Sequence, residues 1–144
     1  MRVVSVSISE EKGTKKKPVN FAELKIDHGI IGDAHAGNWH RQVSLLGVES
    51  LDKMKEAMPN LSSGDFAENI MTEGLTLYEL PIGTLLQVGE TQLEVTQIGK
   101  ECHGGCEIRR ITGDCVMPRE GIFAVVKKEG KVYPGDEIEI IKGN

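Results

Sequence analysis

Cys102 stands beside Glu101 and His103, with Lys100 two residues before it and Arg109, Arg110 and Arg119 after it. Positive surroundings favour the thiolate, the form of cysteine that attacks sulfur or binds a soft metal. Arginine forks grip phosphate through paired hydrogen bonds. The segment therefore points to a reactive sulfur near an anionic, phosphate-bearing ligand. A second cluster, Gly32-Asp33-Ala34-His35-Ala36-Gly37, leads to His40-Arg41-Gln42. Its glycines let backbone approach a ligand, and Asp33 can orient His35 through a ring nitrogen; the plainer alternative is a turn with a surface histidine. A third, Gly64-Asp65-Phe66-Ala67-Glu68-Asn69-Ile70, sets Glu68 and Asn69 side by side before an apolar residue. In a strand they face opposite sides, so one of them points inward. A buried carboxylate needs partners, and Arg41 and His35 are candidates.

Other chemistries fit the cysteine segment less well. Cys102, His103, Cys106 and Cys115 can supply four zinc ligands, but Cys102 and Cys106 are three residues apart and Cys115 has no paired neighbour. A disulfide is disfavoured in a reducing compartment. A Cys–His hydrolase normally takes its base from a separate element, whereas His103 adjoins Cys102.

The elements that position these residues are short and extended. The chain has 144 residues, one domain's worth, with 39% hydrophobic and 27% charged residues, a composition that folds. Glycine supplies 17 residues, where average usage would give roughly ten, and aromatics only 4%. Many glycines disfavour long helices, since each interior one costs a helix about 1 kcal/mol. Val4, Val6 and Ile8 alternate with Ser5, Ser7 and Ser9, which predicts a half-buried strand. Glu10 to Pro18 reads as a charged loop whose run Lys15-Lys16-Lys17 is better explained as a solvated turn than as a phosphate patch. Extended pieces are expected at Ala22–Ile26, Gln42–Leu46, Phe66–Met71, Leu85–Val88, Gln92–Ile98, Gly121–Val126 and Glu137–Ile141. Gly89-Glu90, Glu129-Gly130 and Pro134-Gly135-Asp136 are among the breaks. Val48, Leu51, Met54 and Met58 recur at helical spacing before Pro59, predicting one amphipathic helix with an apolar methionine stripe. The expectation is a single mostly β domain over residues 1–144, a barrel or sandwich with one or two short helices.

Charge and hydropathy exclude other classes. With 17 basic and 22 acidic residues the net charge is −5, the opposite of what phosphate neutralisation on nucleic acid needs. No apolar run approaches the ~20 residues of a membrane span. The N-terminus lacks the basic start and apolar core of a secretory signal, so a cytoplasmic location is expected. Three cysteines favour thiol chemistry or metal over a disulfide framework.

Taken in order, the clusters resemble the MOSC domain, named after the C-terminal domain of molybdenum-cofactor sulfurase. The resemblance is carried by Gly32 to Gly37, Arg41-Gln42-Val43-Ser44-Leu45-Leu46, Glu68-Asn69-Ile70 and Leu80-Pro81-Ile82-Gly83. It continues through Leu93 to Gln97, Cys102, Arg119-Glu120-Gly121-Ile122-Phe123-Ala124 and Gly135-Asp136, and covers about residues 17–142. It implies a mostly antiparallel β-barrel and an association with the molybdenum cofactor, a pterin bearing a phosphate and a metal-binding dithiolene. Cys102 falls where the family's cysteine carries sulfur as a persulfide or ligates molybdenum, and His35, Arg41, Glu68 and Asn69 match positions lining that cleft. Arg41, Arg109, Arg110 and Arg119 are the candidates for the phosphate, and His35 and Glu68 for organising the pocket or moving protons. Cys106 and Cys115 are extra thiols that can resolve a persulfide or share a metal. Pyridoxal phosphate is not expected, because 144 residues leave no room for a desulfurase domain. The implied partners are a sulfur donor such as a cysteine desulfurase, and a molybdoenzyme or electron-donor protein. A small molybdenum-dependent reductase of N-hydroxylated compounds and a non-catalytic cofactor-binding module are the alternatives.

Overall fold

The computed structural model of the chain describes residues 1–11, 15–56, 58–99 and 120–142. Eleven strands and one α-helix are found among them: β1 (Arg2–Ile8), β2 (Lys17–Val19), β3 (Ala22–Lys25), β4 (Gly29–Ile30), β5 (Val43–Gly47), α1 (Val48–Met54), β6 (Ile70–Glu73), β7 (Leu85–Val88), β8 (Thr91–Ile98), β9 (Ile122–Lys128), β10 (Gly130–Val132) and β11 (Ile138–Lys142). A 3-10 turn at Leu77–Glu79 precedes β7.

Eight strands form one sheet in the order β11-β7-β8-β9-β5-β6-β1-β2, and β10-β3-β4 form a second. The expected antiparallel barrel holds in part. Strands dominate and most pairs are antiparallel, but β5 and β6 run parallel, with Leu45 opposite Ile70. A parallel pair needs a crossover, and α1 with the loop after it provides one. The ladders among the described residues do not close continuously. Instead a single bridge, Arg2 to Glu137, with Val3 N–H donating to Asp136 O at 2.8 Å, brings the β11 end of the large sheet back to β1.

Apolar residues alternate across the central strands and so feed two cores. Leu45, Ile70, Ile122 and Ala124 join the larger core. Their neighbours Leu46, Met71 and Phe123 pack with Leu51 and Met54 of α1 on the other face. The helical stripe is therefore core, as its spacing predicts. The helix ends at Met54, although Met58 N–H still donates to Met54 O at 3.0 Å. In β1 the simple alternation is broken by a bulge between Val3 and Ser5. Val3 and Val6 both reach the larger core, while Ser7, expected on a wet face, is buried. No helix among the described residues is long and apolar enough to cross a membrane.

Candidate functional site

Lys16 contradicts its own neighbourhood. It sits in a run of three lysines read as solvated, yet its side chain is fully buried. A buried ammonium must be paired and hydrogen-bonded, and Lys16 is: Nζ lies 2.8 Å from Asp33 Oδ1, 3.2 Å from Ser9 Oγ and 2.9 Å from His35 Nδ1. All three ammonium protons have acceptors, which leaves none for a ligand. Asp33 also accepts from the Ser9 amide through Oδ1 and from the His35 amide through Oδ2. Burial alone would push its carboxyl up, but His35, Lys16 and the Ser9 amide outweigh that and hold it well below the usual carboxylate range. Asp33 does not orient the His35 ring directly, since Oδ2 is 3.7 Å from Nδ1, beyond hydrogen-bond length. Lys16 holds the ring.

Glu68 and Asn69 are both buried, because they precede β6 and do not lie within a strand. The loop before them turns through two left-handed residues, Gly64 at φ 91° and Ala67 at φ 62°. Glu68 stabilises this loop from inside, with Oε2 accepting from Gly64 N at 2.5 Å and Oε1 from Phe66 N at 3.2 Å. Its partners are thus backbone amides, and neither Arg41 nor His35 bonds it. Gly64 O in turn accepts from Lys16 N at 2.8 Å, so the loop carries Glu68's influence to the Lys16 cluster. Asn69 stitches strands together. Its Oδ1 accepts from Ser44 N at 3.0 Å and its Nδ2 donates to Ser7 O at 3.1 Å.

Burial pushes the Glu68 carboxyl up to about 7, against the amides of Gly64 and Phe66, which favour the ionised form. The folded protein thus holds this proton more tightly than the unfolded chain, whose carboxyl titrates near 4.5. The resulting stabilisation is complete below pH 4.5 and is lost as pH rises through about 7. Urea unfolding should show stability falling by about 3 kcal/mol across that window, and Glu68→Gln should flatten the slope. A wild-type slope of zero there would refute the assignment.

Arg41 belongs to a neighbouring group. Its Nε donates to Gln97 Oε1 at 3.1 Å and its guanidinium lies 5.2 Å over the Phe123 ring. Gln97 Nε2 donates to Gly99 O, which fixes the amide so that Oε1 also faces His40 Nε2 at 2.9 Å. The guanidinium plane is thereby anchored, and its terminal nitrogens make no hydrogen bond among the described residues. An immobilised fork whose outer donors meet no acceptor among the described residues suits a phosphate or carboxylate. Thr96 Oγ1 donates to the His40 carbonyl and Trp39 Nε1 to the His35 carbonyl at 2.7 Å, tying the two histidine sites into one loop. Beside them opens a cleft of about 310 Å³ lined by Asp27, Asn38, Trp39, His40, Gln42 and Lys127, among others.

Cys102, Arg109, Arg110 and Arg119 lie outside the described residues, as do Cys106, His103 and Cys115. The chain leaves the described sheet at Gly99, whose N–H donates to Gly121 O at 2.7 Å. That stem adjoins Gln97, the residue on which Arg41 and His40 converge. Among the described residues no group of three or more His, Cys, Asp or Glu side chains is placed to hold a metal. Lys16, Ser9, Ser44 and Gln97 are the contributors that sequence reasoning missed. Lys16 lies inside the run read as a solvated loop, and the strand β2 that follows it (Lys17–Val19) is not expected there.

The profile of the MOSC domain matches residues 32–139, from just before Asp33 to within β11. Among curated proteins none matches the chain. Solved structures share the fold: the YUAD protein from Bacillus subtilis superimposes with a TM-score of 0.78 at 20% identity, covering 95% of this chain and 93% of that one. YiiM from Geobacillus stearothermophilus gives 0.73 at 18% identity, covering 98% and 75%. YiiM from Escherichia coli gives 0.68 at 20% identity, covering 99% and 70%. With the profile spanning three quarters of its length and the loop bearing His35 and His40 inside the match, the chain belongs to the MOSC domain family.

Proposed function

We propose that this protein is a cytoplasmic molybdenum-cofactor-associated domain that binds the cofactor, carries sulfur as a persulfide on Cys102, or does both. The observation that carries the reading is the MOSC match over residues 32–139, which spans Cys102 together with the His35 and Arg41 loop. Arg41 fits the cofactor's phosphate by the anchoring described above, and Arg109, Arg110 and Arg119 would supplement it. When bound, the cofactor would supply a molybdenum centre able to exchange sulfur or oxygen. His35 supports the reading as a polar group at the same loop. Glu68 and Asn69 would act behind it, Glu68 by holding the Gly64 turn against Lys16 and Asn69 by fixing β1 to β5.

In the sulfur-carrying step the Cys102 thiolate attacks the terminal sulfur of a donor persulfide. A new S–S bond forms at Cys102, the donor's S–S bond breaks, and the donor departs as thiolate. The donor would be a protein of cysteine-desulfurase type and the acceptor a molybdoenzyme. Incubating the protein with such a donor and recording intact mass before and after reduction should show a reducible gain of one sulfur atom, absent in Cys102→Ala. Equal loading of Cys102→Ala would overturn the assignment, and molybdenum retained on the native protein would identify the cofactor-binding arm.

A further inference from the structure

We infer that Lys16 is a positioning residue that fixes His35 as the Nε2–H tautomer, so that His35 offers a hydrogen-bond donor at Nε2 and no proton acceptor there. Lys16 Nζ and His35 Nδ1 are 2.9 Å apart. An ammonium has three donors and no acceptor, and this one lies 2.8 Å from a carboxylate with both side chains fully buried. Nδ1 must therefore accept, which places the ring proton on Nε2. The two other arrangements fail. An Nδ1–H imidazole or imidazolium would set its proton against the ammonium. Asp33 cannot take that proton in a hydrogen bond either, because its Oδ2 is 3.7 Å away and already accepts from the His35 amide.

The tether is rigid at every joint. Asp33 is fixed by the Ser9 amide, Lys16 by Ser9 Oγ and by the backbone bond to Gly64, and His35 by Trp39 through its carbonyl. The ring is one-fifth exposed, and Nε2 makes no hydrogen bond to a described residue. What it presents outward is a single N–H donor with a preset direction, suited to an oxygen acceptor on a bound ligand. A lysine that stands outside the residues matched by the family profile thus determines which way a proton is offered. The tautomer follows from geometry alone; only its use toward a ligand rests on the function proposed above.

Long-range ¹H–¹⁵N correlation spectra of the full chain read the tautomer directly, with His35→Gln assigning the signals. Wild type should show the His35 ring proton on Nε2 and Nδ1 unprotonated, with a coupling across the Lys16 Nζ–His35 Nδ1 hydrogen bond. Lys16→Met/Asp33→Asn removes both buried charges together and should let the ring sample both tautomers. An Nδ1–H or doubly protonated ring in wild type would overturn the inference, as would an unchanged tautomer in the double variant. If the double variant fails to fold, the wild-type spectrum alone decides. The measurement needs no cofactor, so a negative result would leave the proposed function standing, and loss of that function would leave the tautomer standing.

Discussion

Lys16→Met should lower the unfolding free energy by about 3–5 kcal/mol in urea titrations at pH 7, the cost of leaving a buried carboxylate without its counter-ion. Lys15→Met and Lys17→Met should each change it by less than about 0.5 kcal/mol, because both residues are exposed and surface substitutions are nearly neutral. The contrast within three consecutive identical residues is the test. Methionine is of similar length and apolar but offers no donor to Asp33, Ser9 or His35, all of which Lys16 bonds. Lys16→Met/Asp33→Asn should recover much of the loss, since no lone charge remains. The pH profile has a defined sign. Asp33 is held below its usual range, so the pair's contribution is present above pH about 4 and disappears as the solution is acidified. Glu68 works in the other direction at higher pH, so stability should pass through a maximum between the two windows. A Lys16→Met protein as stable as Lys15→Met would mean that the ammonium is not buried with Asp33.

Gly64→Ala should cost about 3 kcal/mol or more, the second large effect. Gly64 has φ 91°, and a methyl group there would lie 2.7 Å from the Lys16 carbonyl carbon and closer still to its oxygen. Two penalties combine: left-handed backbone, worth about 1 kcal/mol for a residue with a Cβ, and overpacking against backbone that has nowhere to go. Gly135→Ala separates them. Gly135 has φ 94° with nothing within 4 Å of an added Cβ, so only the conformational penalty applies. Gly64 is also hydrogen-bonded on both sides, to Glu68 through its N–H and to Lys16 through its carbonyl. Pushing Lys16 away should therefore disturb His35 as well, and Gly64→Ala should broaden the His35 tautomer signal while Gly135→Ala leaves it intact. Equal destabilisation by the two substitutions would show that the close approach to Lys16 is unimportant.

Local pattern reached furthest where local chemistry decides structure. Leu85–Val88 and Thr91–Ile98 are set by alternation and by Gly89-Glu90, whose glycine takes φ 58° in the hairpin. The helix announces itself through Leu51 and Met54. The expected strand Phe66–Met71 begins only at Ile70, because the Glu68 carboxylate rewards a turn of the preceding amides over an extended chain, and Ala67 pays no visible signal for its left-handed backbone in sequence. The serines of β1 look like a wet face, yet Ser7 is buried, since the Gly64 loop and Lys16 cover that side.

By itself, then, the sequence determined a mostly β chain, its hairpins and helix stripe, and three polar clusters whose order marks the MOSC family. Only the tertiary structure decided which polar residues meet. Lys16 and His35 are 19 residues apart, and Arg41 and Gln97 are 56 apart. Whether a lysine is solvated or becomes the buried partner of a carboxylate depends on what the rest of the chain lays over it, and desolvation is a property of that cover, which no local spacing encodes.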